Sequence, residues 1–166
     1  MYQGVRRSAH RSKNGPRRSR PSSRWFQTQT FAPDPRKIAE ALDIDPATLC
    51  FPGPIEEAHK AAIYRGAVCF AFPSRYEGFG LPPLEALSCG VPVVGSDASS
   101  IPEVVGDAGV LVPPDDTRNM AGALIALATE TTLRDQLAVR ARAQAARFSW
   151  EKTAWQTLEA YESVLS

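Results

Sequence analysis

Two glutamates and two glycines lie close together in the segment PSRYEGFGLPPLEALSCG, residues 73–90. Glu77 and Glu85 have seven residues between them. An ionised carboxylate only accepts hydrogen bonds, so two vicinal hydroxyl groups of a ligand can donate to the two oxygens of one carboxylate. If both side chains face one crevice, they could hold the hydroxyls of a nucleotide sugar, although this chemistry alone does not single out that ligand.

Two other interpretations of this pair stay open on spacing alone. Glu77 could be an ordinary turn residue and Glu85 an ordinary solvated residue of a helix. Paired carboxylates also hydrolyse glycosides directly, with the two groups facing each other across a cleft. The two glutamates here straddle the start of a predicted helix, which favours ligand binding over that arrangement.

The residues between the glutamates suit a close approach of the backbone to a ligand. Gly78 and Gly80 allow unusual dihedral angles and leave space for a bound group. Pro82 and Pro83 fit the first turn of a helix, where a missing N–H costs little. The remaining free N–H groups and the helix dipole favour an anion such as a phosphate, or a sugar hydroxyl that acts as an acceptor.

The elements that position this segment alternate along the chain from Asp34 onward. Strands separated by helices indicate a mainly parallel sheet with flanking helices, which is a Rossmann-like α/β fold. Ligands of such sheets bind beyond the carboxyl ends of the strands, and the segment directly follows the predicted strand AVCFAFP. The predicted strands are ATLCFPG, AVCFAFP, VPVVGS and GVLVPP; the predicted helices are DPRKIAEALDI, IEEAHKAAIYRGA, LPPLEALSCG, SSIPEVVG, TRNMAGALIALATE, one through Leu133–Ala145 and one after Ser149.

Several details of these elements are also predicted. Gly90 should end the LPPLEALSCG helix, and Asp116 should cap the helix TRNMAGALIALATE. Ser100 and Glu103 have the spacing of a capping box. AVCFAFP should be buried on both faces, because it lacks polar alternation. Apolar faces are expected at Ile55, Ala58, Ala62 and Ile63; at Met120, Leu124 and Leu127; and at Trp150, Ala154, Leu158, Tyr161 and Leu165.

The net charge of +1 conceals two different segments. Residues 1–33 hold eight basic side chains and no acid, whereas residues 34–166 hold eleven basic and eighteen acidic residues, a net charge of −7. The Arg/Ser-rich start cannot bury enough apolar surface to fold, so we predict a disordered tail over 1–33 and a folded domain over 34–166. The tail could be a nucleic-acid or anionic-surface arm, a targeting peptide, or a solvated extension.

Composition limits the remaining classes of function. The longest apolar run is too short to span a bilayer and no signal peptide is visible, so we expect a cytoplasmic protein. Cys50, Cys69 and Cys89 form no CxxC pair and are expected to be buried, reduced thiols. Only two histidines are present, and neither has a ligand-like neighbour, so no metal site is expected.

The segment PSRYEGFGLPPLEALSCGVPVVGSDASSIPEVVGDAGVLVPPDD resembles the carboxyl-terminal domain of the retaining glycosyltransferases of family 4, also called group 1, which have the GT-B architecture. FSWEKTAWQTLEAY is similar to that family as well, and the resemblance runs from about Asp34 to Ser166. It implies that a nucleotide-diphospho-sugar donates its sugar to an acceptor hydroxyl with retention of configuration, without a cofactor or an obligatory metal.

The resemblance also implies roles for individual residues. Glu77, the catalytic candidate, would lie beside the transferred sugar, and Glu85 would accept hydrogen bonds from the ribose hydroxyls. Gly78, Phe79 and Gly80 would present backbone N–H groups to the sugar and the diphosphate. Two further residues are implied at the pocket: Leu81 would line the same turn, and Ser74 would border it, as a contact or as a turn residue.

The chain departs from the family pattern at its start. No segment matches the amino-terminal domain that carries the acceptor site, or the strand and basic pair that neutralise the leaving diphosphate. We therefore expect a truncated donor-binding domain that has little turnover alone; the acceptor, a sugar, a lipid-linked or another hydroxyl compound, would need the missing domain. The intact enzyme could associate peripherally with a membrane.

Two alternatives to this function stay open. The chain could be a non-catalytic nucleotide-sugar-binding module, completed by a separate chain. It could also be a nucleic-acid-associated protein that uses its basic tail, but the charge of −7 on the remainder opposes a polyanion, so no nucleic-acid partner is expected.

Overall fold

The computed structural model describes residues 34–165. The predicted disordered tail, residues 1–33, lies outside this range. The described residues fall into two compact units, one ending at Phe51 and the other beginning at Pro52. The assignment of a single domain to residues 34–166 therefore stays a prediction.

The first unit contains one predicted helix and no strand within its described residues. Helix α1 covers Pro35–Ala41, with Asp34 as its N-cap. The strand predicted for ATLCFPG is wrong, because Pro46–Thr48 forms a single turn of 3-10 helix. The Asp45 side chain accepts a hydrogen bond from Ala47 N at 2.9 Å, and a capping side chain of this kind followed by proline favours a helical turn over a strand.

The second unit contains alternating helices and strands, as predicted. In chain order they are α2 (Glu57–Gly66), β1 (Phe70–Phe72), α3 (Leu81–Ser88), β2 (Val93–Ser96), α4 (Ile101–Val105), β3 (Gly109–Val112), α5 (Thr117–Thr129), α6 (Thr131–Ala145) and α7 (Trp150–Leu165).

The three strands form a parallel sheet in the order β1-β2-β3. Val93 of β2 pairs with Phe70 of β1 on one side and with Gly109 of β3 on the other. All four residues of β2 are buried, because this strand has a neighbour on each edge and helices on each face. The predicted Rossmann-like α/β fold with a parallel sheet is confirmed.

Adjacent residues of β2 point to opposite faces of the sheet and enter two different apolar clusters. Val93 packs with Leu87, Ile101 and Ala141, which brings α3, α4 and α6 onto one face. Val94 packs with Ala123, Leu127 and Leu137, which brings α5 and α6 onto the other. Helix α6 thus contributes to both clusters.

Strand β1 is less buried than predicted. Phe70 and Phe72 are half-buried, but Ala71 between them is exposed. Strand β1 pairs only with β2 among the described strands, and α5 packs on β2 and β3. The prediction that AVCFAFP is buried on both faces is therefore wrong, because Ala71 lies in an edge strand of the described sheet and is exposed.

Helix α2 turns a different face to the sheet from the one predicted. Ile63 is 50% exposed and Ile55 is 38% exposed, so the predicted apolar face is wrong. Tyr64 instead packs edge-to-face against Phe70, with ring centroids 5.4 Å apart. Lys60 and Tyr64, one turn apart, therefore lie on the inward face of α2. This places a cation and a phenol beside α3.

Helix α3 ends as predicted. Gly90 has a φ of 79°, Gly90 N donates to Leu87 O at 2.9 Å and Val91 N donates to Ala86 O at 3.0 Å. This pair of bonds is the Schellman motif, which needs a left-handed residue and so favours glycine at this position.

Helices α5 and α6 also agree with the sequence pattern. Asp116 accepts a hydrogen bond from Asn119 N at 3.0 Å, which is the predicted N-cap of α5. Helix α6 supports the short helix α4 through Gln144, a buried residue whose Nε2 donates to Glu103 O at 3.0 Å and to Val104 O at 3.1 Å.

Helix α7 is confirmed, but its predicted apolar stripe is uncovered within the described residues. Trp150 is 80% exposed and Tyr161 is 66% exposed. No helix among residues 34–165 is both long and apolar enough to cross a bilayer.

The three cysteines are free thiols. Cys50 is exposed, so its predicted burial is wrong, since it follows the 3-10 turn instead of lying in a strand. Cys69 and Cys89 are half-buried, and burial raises the pKa of the Cys69 thiol.

Candidate functional site

The predicted ligand loop, residues 73–80, joins the carboxyl end of β1 to the start of α3. Gly80 is the N-cap of α3, with a φ of 105°. A Cβ on this residue would also lie 3.1 Å from Ile101 Cδ1. Gly80 is therefore favoured by the fold itself, because any other side chain would be strained at this dihedral angle and would crowd Ile101.

Gly78 differs from Gly80 in both respects. Its φ lies outside the left-handed region, and a Cβ on Gly78 would have no atom within 4 Å. The fold thus does not require a glycine at this position. The space beside Gly78 is open, as a backbone that receives a ligand needs.

The backbone N–H groups of four consecutive residues, the last three of this loop and the first of α3, have no protein acceptor within residues 34–165. They belong to Gly78, Phe79, Gly80 and Leu81 and lie at the amino end of α3. Amides of this kind, together with the helix dipole, attract anionic oxygens. The loop therefore has the donors that a diphosphate or a sugar oxygen needs.

Glu77 is held by three serine hydroxyls. Ser74 Oγ donates to Glu77 Oε1 at 2.8 Å. Glu77 O accepts from Ser99 Oγ at 2.7 Å and from Ser100 Oγ at 3.1 Å, and Glu77 N donates back to Ser99 Oγ at 3.3 Å. Ser74 thus lies against the carboxylate of Glu77, which fixes the orientation of that half-buried side chain.

The predicted capping box of α4 does not form. Ser100 is the N-cap residue of α4, but its side chain makes no capping hydrogen bond. Its hydroxyl donates to Glu77 O instead, so Ser100 links the start of α4 to the loop after β1. The assignment of a capping box to Ser100 and Glu103 is therefore wrong.

Glu85 has partners on helix α2. Tyr64 Oη donates to Glu85 Oε2 at 3.0 Å, and Lys60 Nζ lies 3.6 Å from Glu85 Oε1 and 2.8 Å from Glu57 Oε2. Burial, together with the hydrogen bond to Glu85, raises the pKa of Tyr64 to about 12. The hydrogen bond to Glu57 raises the pKa of Lys60, so both groups stay protonated at neutral pH.

Two cavities beside α3 are lined by Glu85. One, of about 360 Å³, also contains Phe79, Leu81, Phe148 and Trp150 in its lining. The other, of about 150 Å³, is lined by Lys60, Tyr64 and Glu85 among others. The structure therefore brings together three of the predicted site residues.

Glu77 lines neither of these cavities. Its carboxylate contacts Ser74, whereas the Glu85 carboxylate contacts Tyr64 and Lys60 of α2. The two carboxylates thus have separate sets of partners. That both glutamates face one crevice stays a prediction.

A comparison with known families matches residues 30–130 to the model of the glycosyl transferases group 1. The chain belongs to this family. Two relatives agree with that assignment. The O-antigen chain mannosyltransferase B of Escherichia coli is 47% identical over 100 residues, which cover 60% of this chain and 26% of that protein. A D-inositol 3-phosphate glycosyltransferase of Saccharomonospora viridis is 38% identical over 131 residues, which cover 78% of this chain and 30% of that protein.

Solved structures give the same fold. Sucrose-phosphate synthase from Thermosynechococcus elongatus aligns with a TM-score of 0.70 and 28% identity, over 78% of this chain and 33% of that chain. TarM aligns with a TM-score of 0.65 at 22% identity, which supports the fold alone. The matched regions span about a third or less of these proteins.

Arg75, in the same loop as Glu77, forms an exposed ion pair with Asp115. A diphosphate would compete with that carboxylate for the guanidinium. Among residues 34–165, no group of three His, Cys, Asp or Glu side chains could hold a metal ion.

Sequence reasoning missed the residues that hold the two glutamates. Lys60 and Tyr64 are four residues apart on α2 and therefore share a helix face. The aliphatic residues around Ile63 favoured a different face of α2 as the buried one. Ser99 was missed because its role depends on two loops that lie 22 residues apart in the chain and meet only in the folded sheet.

Proposed function

We propose that this chain provides the donor-binding domain of a retaining glycosyltransferase, which transfers a sugar from a nucleotide-diphospho-sugar to an acceptor hydroxyl. The observation that carries the proposal is the row of four unpaired amides at Gly78–Leu81, set at the carboxyl end of β1 between Glu77 and Glu85. Membership of the glycosyl transferases group 1 supports this donor class.

The free amides and the two glutamates each have a role in this proposal. The amides and the amino end of α3 bind the diphosphate oxygens, since preorganised donors stabilise the charge that develops on a leaving group. Glu85 binds the ribose hydroxyls through its oxygens, of which Oε2 already accepts from Tyr64. Glu77, the catalytic residue in this proposal, lies beside the transferred sugar with its carboxylate oriented by Ser74.

We also propose that the chain binds a donor without efficient transfer. Charge on the leaving diphosphate needs cationic partners, and losing one preorganised donor typically costs about 3 kcal/mol in the barrier. Arg75 is paired with Asp115 and Lys60 is shared between Glu57 and Glu85, so a diphosphate would have to compete with these carboxylates for either cation. A transfer assay on the purified chain should show little turnover, and normal rates would contradict this part of the proposal.

The binding test compares two glycines that both have open space beside them. A Cβ at Gly78 and a Cβ at Gly122 would each have no atom within 4 Å, and neither residue has a left-handed φ. Gly78→Ala should therefore fold normally while its methyl group fills the space next to the free amides. Gly122→Ala lies in α5 and is the matched control.

Calorimetric titration with UDP-, GDP- and ADP-sugars measures the outcome. We expect the natural chain and Gly122→Ala to bind one donor with the same Kd, and Gly78→Ala to bind it at least about tenfold more weakly, which is about 1.4 kcal/mol. Failure of every donor to bind at millimolar concentration would refute the proposal. Addition of EDTA should leave the Kd unchanged, because the proposed site includes no metal.

A cytoplasmic location is a further part of the proposal. Fractionation of cells that express the chain tests it, and recovery outside the cytoplasm would contradict it.

A further inference from the structure

Three serine hydroxyls connect the end of β2 and the loop after it to the loop after β1, and a fourth bonds within the latter loop. Ser96 Oγ donates to Ser74 O, and Ser74 Oγ donates to the carboxylate of Glu77. Ser99 and Ser100 donate to Glu77 O. Glu77 is thus held through its side chain by one loop and through its backbone by the other.

Ser99 adopts a backbone conformation that is unfavourable for a serine. Its φ is 56°, in the left-handed region where a Cβ is crowded by the backbone. Residues held in such regions persist only when their surroundings stabilise them, and they occur often at functional sites. In this conformation Ser99 Oγ lies 2.7 Å from Glu77 O and 3.3 Å from Glu77 N, so one hydroxyl contacts both polar backbone groups of Glu77.

The carbonyl of Glu77 and the N–H of Gly78 belong to the same planar peptide unit. In a trans peptide the two bonds point in opposite directions, so fixing the carbonyl also fixes the N–H. Ser99 and Ser100 hold the Glu77 carbonyl from the side of α4, which leaves the Gly78 N–H directed away from them. Gly78 provides the first of the four unpaired amides, and its Cβ side is open space.

We propose that Ser99 and Ser100 are positioning residues of the donor site, which orient the Glu77–Gly78 peptide so that the Gly78 N–H points at the donor. This inference rests on the proposed function. Two hydrogen bonds to the Glu77 carbonyl also polarise the peptide and make its N–H a stronger donor. The strained conformation of Ser99 is thus retained for the site and not for the stability of the fold.

The substitution that separates these roles is Ser99→Gly combined with Ser100→Ala. Glycine at position 99 removes the hydroxyl and also relieves the left-handed strain. Alanine at position 100 removes a hydroxyl that makes no capping bond to α4. We expect the double variant to have an unchanged or higher Tm and to bind the donor about tenfold more weakly, equivalent to about 1.4 kcal/mol.

A residue that merely supports the fold would give a different pattern. Its removal would lower the Tm and the affinity together, or would change neither. Ser99→Asn is the rescue variant, because asparagine tolerates the left-handed region and its amide can donate to the Glu77 carbonyl. We expect Ser99→Asn to bind the donor with nearly the Kd of the natural chain.

A second measurement tests the positioning role without any ligand. The ¹⁵N order parameter of the Gly78 amide should be about 0.85 in the natural chain and below about 0.6 in the double variant, which are the usual values for rigid and flexible backbone. An equally rigid Gly78 in both proteins would overturn the inference.

The binding results distinguish the two proposals. If the natural chain binds a donor and the double variant binds it with the same Kd, the inference on Ser99 and Ser100 fails and the proposed function stands. If the natural chain binds no donor at all, the proposed function fails and the role of the two serines in a donor site fails with it.

Discussion

Replacing Gln144 with leucine should destabilise the chain by removing the support of helix α4. Helix α4 has five residues, too few to be stable without tertiary contacts. Gln144 Nε2 donates to the carbonyls of Glu103 and Val104, at 3.0 and 3.1 Å, near the end of that helix. Leucine has a similar size and no donor, so both carbonyls lose their partner.

The size of the effect follows from the burial of these groups. Gln144 is 5% exposed, and leaving a buried polar group unpaired costs about 1–3 kcal/mol. The Val104 carbonyl bears this cost in full, because Val104 is completely buried. The Glu103 carbonyl bears part of it, because Glu103 is exposed and water can replace the lost donor. We therefore expect the free energy of unfolding to fall by about 2–3 kcal/mol.

Urea unfolding followed by circular dichroism measures this difference, provided that the slope m is the same in both proteins. Gln136→Leu is the control, because Gln136 is an exposed residue of the same helix α6 and its replacement should change stability by less than about 0.5 kcal/mol. If Gln144→Leu is as stable as Gln136→Leu, the account of how α4 is held is wrong.

Two further predictions concern the sheet and helix α2. Gly109→Ala should destabilise the chain by about 3 kcal/mol, the upper end of the usual cost of overpacking, because a Cβ there would overlap Val93 O of the neighbouring strand and lie 2.8 Å from Val105 Cγ1; an unchanged Tm would contradict the register of β2 and β3. The pKa of Tyr64 is raised to about 12 from 10.0 in the unfolded chain, so the folded state holds this proton more tightly and the stabilisation is complete below pH 10. It is lost between about pH 10 and 12, and since Tyr64 is partly solvated we expect a loss of only about 1 kcal/mol. The difference in unfolding free energy between the natural chain and Tyr64→Phe should therefore shift by that amount across this pH range, and a constant difference would count against the burial of the Tyr64 hydroxyl and its bond to Glu85.

The sequence predicted the central elements of the fold because they depend on local chemistry. Gly90 and Asp116 act through hydrogen bonds within a few residues, and β2 is apolar enough to be central in the sheet. The wrong predictions concern residues whose burial depends on neighbouring elements of the fold. Ala71 and Ile63 are exposed because burial depends on which neighbours reach them, and no periodicity encodes that.

The site residues themselves stay a prediction, and the residues that hold them were missed. The type and spacing of Glu77, Gly78 and Glu85 suggested ligand chemistry but left ordinary turn and helix roles open, and only the family resemblance assigned roles. The difference between the two loop glycines required the structure, in which Gly80 packs against Ile101 and Gly78 faces open space. Likewise, the strained φ of Ser99 has no signature in the sequence SDASSIPE.

A residue-resolved NMR titration tests the proposed donor site most directly. In ¹H–¹⁵N spectra of the chain, the account predicts that a nucleotide-diphospho-sugar shifts the amide signals of Gly78, Phe79, Gly80 and Leu81 more than any others. Shifts concentrated elsewhere, with these four amides unchanged at saturating donor, would contradict the claim that this loop binds the diphosphate.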